Sequence, residues 1–515
     1  MDIDFHYYAT YAAGLLAGYT KKEMDIIAYS AQFVDEFNLS YGYGSEPWSF
    51  PQTKNLSEPF YGRLRYIETD EVGCKISPRR TVQTPGDIVL DSRIRTDMWV
   101  VYHFLPGNFT PTGKNAHPQY RMRSGISSQK MKLLCRPFST MAIDMINDLL
   151  NSKDCSYFQQ LIGLKMHVFC DTWAHQDFIG EGASEINDCA GYYNFYEVEP
   201  NILEQLNWSI TSTSMGYAPK IPQLGGPLEK GYVGHGRLGH FPDYGWCKYY
   251  YTPSWLQTGS KRMILRNNPQ EYETAFFEMV KVMYATRHDE INTYPYPDSQ
   301  FKPEWRSDPH KEQEVIKKVR DAITLNPSKY LYDSKRNVVD FSCTMWLDLI
   351  AELSGEASLP IFENDKWKKE AQQNGKLTRN GRLGSKWKDW VWNDADGFQK
   401  SNLYKFNQAA EHHYAHTQSK LRDYIGYELR PWDKSHSLFA NVTWQPDSAV
   451  TICNSCRTPF GVFTRKHHCR ACGKIFCDSC APVKTFSKVT FNGTPLPKPE
   501  SFRICQSCEK KAVRS

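Results

Sequence analysis

Along most of the chain, apolar residues recur every three to four positions, the period of a helix that buries one face. YATYAAGLLAGY (8–19), KKEMDIIAYSAQFVDEF (21–37), STMAIDMINDLLNS (139–152) and YFQQLIGLKMHVFCDTWAHQDF (157–178) carry this pattern. So do PQEYETAFFEMVKVMYATRHDEI (269–291), HKEQEVIKKVRDAITL (310–325), FSCTMWLDLIAEL (341–353) and the long stretch from Ser401 to Leu429. Segments 40–63, 105–120 and 211–257 are rich in Gly, Pro and Tyr and read as loops between helices. No repeat period is present. Beyond residue 443 the chain becomes short, punctuated by cysteine and loop-rich, with β-prone KVTFNG and SFRICQ. The pattern predicts a mostly α protein. It divides into a large all-α domain over 1–430, a linker over 431–443, and a small unit over 444–515.

Composition supports that division. The chain has 515 residues, 40% of them hydrophobic and 14% aromatic, enough for a real core. Its mean hydropathy of −0.59 is that of a water-soluble protein. The longest early apolar run follows an acidic start, MDIDF, and is too short to span a bilayer. It also lacks a basic leader, so neither a signal peptide nor a transmembrane helix is expected. Net charge is +5, but it is unevenly spread. Twelve Lys/Arg against four Asp/Glu fall between Trp444 and Ser515, leaving the rest slightly acidic. A basic unit on a near-neutral body points to an anionic surface as partner for that unit.

The cysteines sharpen the picture. Seven are scattered: Cys74, Cys135, Cys155, Cys170, Cys189, Cys247 and Cys343. The other eight form four C-x2-C pairs: Cys453/Cys456, Cys469/Cys472, Cys477/Cys480 and Cys505/Cys508. In a chain without a secretory leader such pairs are metal ligands rather than disulfides, and eight thiolates saturate two tetrahedral zinc ions. About seventy residues bury too little apolar area to fold without such clamps. His467 and His468 are then left free of metal duty.

The flanking residues go further. RKHHCRACG (465–473) is similar to the R(R/K)HHCRxCG signature of FYVE zinc fingers, and WQPD (444–447) and RIC (503–505) match two further marks of that family. The resemblance implies binding of phosphatidylinositol 3-phosphate at a membrane surface. Arg465, Lys466, Arg470 and Arg503 would hold the phosphates, and His468, His467 and Asp447 would read the inositol hydroxyls. It also implies the cross-braced pairing Cys453/Cys456/Cys477/Cys480 and Cys469/Cys472/Cys505/Cys508. Val462 and Phe463 would be the tip that enters the acyl boundary, with Phe460 packed inside. Several charge-assisted donors suit a phosphate dianion, and a carboxylate discourages phosphates on the hydroxyl side of the ring.

In the large domain, His167, Asp171 and His175 stand four residues apart on one predicted helix and so share a face. A buried helix with satisfied polar groups would read the same way. His6, Asp35, His103, His235, His240 and Asp243 are further candidates, each alone as well explained by structure. Taken in order, they resemble the zinc-dependent phospholipase C and S1/P1 nuclease superfamily, partly by way of an uncharacterised bacterial family.

That resemblance implies an all-α metallohydrolase with two or three zinc ions in the large domain. The ligands would be His6, Asp35, His103 (in YHF), His167, Asp171 and His175, and then His235 or His240 with Asp243. Asp171 would bridge metals, and Asp35 would be a ligand or general base. The central motif is H-x3-D-x3-H where the family has H-x3-D-x5-H. The family also uses a processed N-terminal amine, a place expected here to fall to Asp2 or Asp4.

A second histidine-rich stretch, EHHYAHTQ with Glu411, His412, His413 and His416, reads as a site wall or solvated face. No P-loop or Ser/His/Asp elbow competes. The expected activity is a phospholipase C-like phosphoesterase on endosomal or phagosomal membranes, secreted into a host cell if the source is bacterial. The alternatives are a nuclease or phosphoinositide phosphatase on the same fold, and a non-enzymatic membrane adaptor.

Overall fold

The structure is a computed structural model. It describes residues 1–37, 68–69, 75–76, 81, 96–109, 126–195, 233–238, 241–256, 264–324, 331–333, 338–340, 344–356, 360–379, 390–392, 394–427, 450–461, 464–486, 489–491, 494–495, 500–510 and 513–514. The chain forms two compact units, Met1–Glu428 and Leu429–Ser515.

The large unit is built around helices α1 (Thr10–Leu16), α2 (Lys21–Glu36), α3 (Thr140–Leu150), α4 (Phe158–Ala174), α5 (Asn268–Arg287), α6 (Pro309–Ile323), α7 (Thr344–Ser354), α8 (Lys366–Asn374) and α9 (Asn402–Ile425). Their ends follow local chemistry. Thr20 and Glu23 form a reciprocal capping box ahead of α2. Ser139 and Ser401 cap α3 and α9, and Asp308 followed by Pro309 starts α6. Gly426, at φ +63°, closes α9 in the left-handed conformation.

α4 is the axis. Every residue from Gln160 to Ala174 is buried, as befits a helix enclosed on all sides. α2, α3, α5 and α9 all pack against it. On one flank, Tyr29, Phe33 and Phe37 from the end of α2 meet Trp367 of α8 and Phe406 of α9, with ring centroids 4.3–5.3 Å apart. α4 and α2 approach closely at Gly163, where an added Cβ would come within 2.0 Å of the Ile27 carbonyl oxygen on α2.

Gly163→Ala should therefore destabilise the large unit. Alanine's helix propensity favours it by about 1 kcal/mol, but a backbone clash of this depth forces overpacking that costs about 1–3 kcal/mol. A lowered apparent melting temperature, read by far-UV circular dichroism, checks this.

Two segments wind more loosely than α-helix. Asp4–Ala9 and Thr96–His103 are π-helical, and Phe104 N–H donates to the Trp99 carbonyl five residues back. Such turns insert an extra residue and re-aim side chains. Here they end on or contain His6 and His103.

The loop expectation for 211–257 needs correction. Lys248–Pro253 is the middle strand of an antiparallel sheet, flanked by Cys189–Phe195 and Ile264–Asn267. Tyr249 and Tyr251, two residues apart and so on one face of the strand, are buried, but the run of three tyrosines in KYYYTP shows no period-two pattern in the sequence. The predicted linker 431–443 lies outside the described residues, as do Trp444, Asp447, Val462, Phe463, His240, Cys74 and Cys343.

In the second unit, short strands His467–His468 and Ile475–Phe476 pair, as do Val483–Phe486 and Glu500–Arg503. Cys453, Cys469, Cys477 and Cys505 are buried among Ala471, Phe476, Ala481, Phe502 and Ile504, with Phe460 packed against them. The core of this unit is thus half sulfur. Among the described residues no helix is long and apolar enough to cross a membrane.

Candidate functional site

α4 supplies the central row. His167 and Asp171 lie on its last turns and His175 is the first residue past its end. Asp35 comes from the last turn of α2, His6 from the first π-turn and His103 from the second. His235 lies in a turn after Gly234, whose φ is +55° and whose Cβ, if present, would strike the Phe104 ring at 2.2 Å. Asp243 closes a 3-10 turn, Phe241–Asp243.

These donors converge. His103 Nδ1 and His167 Nε2 lie 3.5 and 3.2 Å from Asp171 Oδ2 and 3.3 Å from each other. Asp35 Oδ1 is 3.8 and 3.9 Å from the same two nitrogens. The other Asp171 oxygen, Oδ1, faces His6 Nε2 at 3.2 Å and the Met1 amino nitrogen at 2.9 Å. Asp243 Oδ1 lies 3.2 Å from that amine, 3.3 Å from His175 Nε2 and 3.4 Å from His235 Nε2. Three-ligand sets fall out of this: His6/Asp35/His167, His103/His167/Asp171 and His175/His235/Asp243.

The spacing fits divalent metal. Bonds of about 2.0–2.2 Å at tetrahedral angles separate neighbouring ligand atoms by about 3.3–3.6 Å, and most of the distances above lie within a few tenths of that. Orientation fits too. His167 Nδ1 is bonded to the Ala31 carbonyl at 2.9 Å and His103 Nε2 to the Thr81 carbonyl at 2.7 Å. His175 Nδ1 is bonded to the His103 carbonyl. A ring whose far N–H donates to a carbonyl presents its other nitrogen bare, the usual outer arrangement of a metal-binding histidine. Both ring nitrogens of His6, and Asp171 Oδ2, are buried without hydrogen-bond partners. Buried polar atoms are seldom left so, and an ion between them would satisfy them.

Electrostatics agrees. Burial lowers the His6 pKa to about 4 and drives His167 well below its usual value, with His6 adding repulsion. These rings are neutral ligands. For Asp171, burial alone would raise the pKa. The combined field of His175, the Met1 amine, His167 and His6 outweighs it and holds the carboxyl well below the usual range. Asp35 goes the other way, raised by burial and then by Asp171. The Met1 amine, lowered by burial but raised more by Asp171 and Asp243, reaches about 11. The donors differ in exposure: Asp35, Asp243 and His235 are 21, 13 and 12% exposed, while His6, His103, His167, Asp171 and His175 are sealed.

His240 and Asp447 lie outside the described residues. Asp2 and Asp4 join no three-ligand set among the described residues; the amine of Met1 stands where one of them was expected. Sequence reasoning missed the carbonyls of Ala31, Thr81 and His103, which no motif encodes. The EHHYAHTQ stretch serves structure: His412 and His416 bind Asp148 at 2.9 and 3.3 Å, and His413 bonds the Val101 carbonyl.

In the finger, the sulfurs gather as Cys453/Cys456/Cys477/Cys480 and Cys469/Cys472/Cys505/Cys508. Backbone N–H groups donate to them: Cys477 N to Cys453 Sγ at 3.3 Å and Cys505 N to Cys469 Sγ at 3.2 Å. Such donors favour thiolate. Strand pairing brings the basic residues together. Arg470 N–H bonds the Arg503 carbonyl at 2.8 Å, and Arg470 Nη1 bonds the His468 carbonyl at 3.1 Å. Asp478, a residue the sequence did not single out, pairs with Arg503 at 2.5 Å and lies 3.8 Å from His467.

Comparison with known proteins divides the chain at the same place. Residues 1–421 match the model of a family of unknown function (DUF6765), and residues 443–514 match that of the FYVE zinc finger. Curated relatives match over a stretch of about the finger's length. A probable inactive serine/threonine-protein kinase, slob1, of Dictyostelium discoideum is 36% identical over 76 residues, 15% of this chain and 12% of that protein. Arrestin domain-containing protein A of the same organism is 45% identical over 65 residues, 13 and 10% of the two chains. The 1-phosphatidylinositol-3-phosphate 5-kinase FAB1A of Arabidopsis thaliana is 34% identical over 86 residues, 16 and 5%. The match thus spans about a tenth or less of each relative. No solved structure matches.

Proposed function

The chain belongs to the family of unknown function DUF6765 and ends in a FYVE zinc finger; from that premise we propose that it is a zinc-dependent phosphoesterase, phospholipase C-like, held by the finger at membranes carrying phosphatidylinositol 3-phosphate. The observation that carries the catalytic half is the convergence of five imidazoles and three carboxylates on a row along α4, with buried ligand atoms left unpaired. His6, Asp35, His103, His167, Asp171, His175, His235 and Asp243 would hold two or three ions, and the Met1 amine is placed to join them. Divalent metals there would polarise a phosphoryl oxygen and lower the pKa of a bound water toward neutrality.

The chain's own residues divide the remaining work. Asp171, facing two donor sets with its two oxygens, joins them. Asp35 is the most exposed of the carboxylates and stands at the solvent side of the row, where it can accept a proton from an attacking water. The sealed inner histidines, locked by main-chain carbonyls, keep the donors in place without reorganisation. For the targeting half, the basic cluster of the finger and the kinase relative, named for 1-phosphatidylinositol 3-phosphate, support that lipid as ligand. A lipid-reading module raises the concentration of an attached lipase at its substrate.

The test is hydrolysis of phospholipid vesicles, with and without phosphatidylinositol 3-phosphate, by the zinc-loaded full chain. An oligonucleotide substrate and release of inorganic phosphate from the phosphoinositide are run alongside. Cleavage of oligonucleotide but not lipid would transfer the reading to a nuclease; no turnover of any would favour an adaptor.

Metal uptake should also be linked to pH. The Met1 amine reaches about 11 in the metal-free site and the Asp35 carboxyl is raised by burial and by Asp171, so the amine carries a proton at neutral pH and must lose it to ligate. Binding then releases protons and tightens as pH rises. Titration calorimetry in buffers of different ionisation heat should show at least one proton more released by wild type than by a His167→Ala variant, the finger's share being common to both. An affinity flat between pH 6 and 8 would contradict it.

A further inference from the structure

Two buried arginines hold the turn on which the proposed metal centre's outer donor set depends. His175, His235 and Asp243 all lie on turns rather than within α-helix. His175 must aim Nε2 at Asp243 from the point where α4 stops. The last carbonyls of α4, those of Trp173 and Ala174, accept from Arg266 Nη2 at 2.6 and 3.2 Å, and the Gln176 carbonyl accepts from Nη1 at 3.4 Å. Arg266 is only 1% exposed. Its charge is met by Glu271, 2.7 Å from Nη2, and Glu271 also accepts from the Gln176 side chain at 2.8 Å.

Two residues beyond His175, Asp177 takes φ +77°, a left-handed conformation that costs a side-chain-bearing residue energy unless its surroundings impose it. They do. Arg136, 4% exposed, grips Asp177 Oδ1, and the Tyr251 hydroxyl donates to Oδ2 at 2.8 Å. Trp255 Nε1–H donates to the Asp177 carbonyl at 3.2 Å, and the Asp177 N–H donates to the Cys135 carbonyl at 3.2 Å. Residues 173–178 are thus pinned from both sides.

Burying two guanidinium groups is expensive and seldom improves stability over apolar packing. Each pair here is neutral overall, Arg266 with Glu271 and Arg136 with Asp177, so neither adds net charge beside the metal donors. What they fix is direction: the end of a helix and a strained turn, at the one place where the row of ligands leaves regular structure. We propose that Arg266 and Arg136, through Glu271 and Asp177, are positioning residues that set His175 for the His175/His235/Asp243 ion and so govern occupancy of that one site. This rests on the metal-centre reading above.

Metal content and affinity of the full chain test it, by elemental analysis and by competition against a zinc chelator. Wild type should carry zinc beyond the finger's complement; if it carries the finger's zinc alone, the metal-centre reading itself falls. Given that excess, Arg266→Met and the milder Tyr251→Phe, which deletes one hydroxyl, should each lose about one ion per chain or weaken the loosest large-domain ion about 10- to 100-fold. The remaining ions and the helical circular dichroism should stay, and Arg266→Lys should restore part of the loss. Cobalt substitution should show one ligand-field band set weakened and the others unmoved. Full occupancy and affinity in both variants would overturn the proposal. So would a uniform loss of every large-domain ion from a folded Tyr251→Phe chain, because a merely structural residue would act on all sites alike.

Discussion

Asp171→Asn should strip the large domain of its metal while the finger, with its two four-cysteine sets, keeps its own. The two oxygens of Asp171 face different donors at short range, His103 and His167 on one side and His6 and the Met1 amine on the other. Asparagine keeps the shape and loses the charge that binds cations. Zinc per chain should fall from four or five to two. Hydrolysis should fall about 10³-fold or more, since the metals supply several kcal/mol of charge stabilisation and each 1.4 kcal/mol is tenfold.

Stability should move as well. The carboxylate is 1% exposed among a buried amine and four imidazoles, and removing one partner of a buried pair costs about 3–5 kcal/mol. A neutral side chain that can still hydrogen-bond should keep the loss toward the lower end, so the variant remains testable. Asp171→Asn with unchanged zinc and turnover would remove the basis of the catalytic proposal, and wild type with only two zinc ions would support the adaptor.

The helices of the large domain were legible because burial imposes the 3.6-residue period directly. α4 in particular is apolar at most of the positions that carry no ligand, with Lys165 and Thr172 among the buried polar exceptions. The donor row was legible as far as ligands share that helix: H-x3-D-x3-H states its own geometry. His6, Asp35, His103 and His235 come from four other elements, and only order along the chain linked them. The carbonyls of Ala31, Thr81 and His103 could not be read at all, because any residue offers a carbonyl and only tertiary packing, such as that of α2 on α4 for Ala31, says which one faces an imidazole. α8 was missed because KWKKEAQQN is apolar at too few positions to show a face. Strand Lys248–Pro253 was missed because its three tyrosines are consecutive and show no alternation, and Gly and Pro surround them. The finger was the clearest, since four cysteine pairs at fixed spacing mark two zinc sites, while which pairs share a site came only from the FYVE resemblance.

Arg470→Ala should weaken binding to vesicles containing phosphatidylinositol 3-phosphate about 10- to 100-fold, the worth of one hydrogen-bonded ion pair of about 1.5–3 kcal/mol. Binding to vesicles carrying only phosphatidylserine should fall about fivefold, because a surface cation near an anionic membrane is worth about 1 kcal/mol. That contrast separates headgroup recognition from general attraction. Arg470 is the better probe than Arg503, which also holds Asp478 and the Ala481 carbonyl and so doubles as a structural tie.

The same cluster predicts a pH response. Burial lowers the His467 pKa, and Arg503 lowers it further against the opposing pull of Asp478. The free finger therefore holds this ring neutral at pH 7. A phosphate dianion beside it favours the charged ring, so binding takes up a proton and strengthens as pH falls through the raised value of the bound state. Vesicle cosedimentation at pH 6 should exceed that at pH 8 for wild type, and His467→Ala should flatten the dependence. Equal loss on both vesicle types, or a wild-type affinity that rises with pH, would mean that the basic residues attract a surface without reading a headgroup.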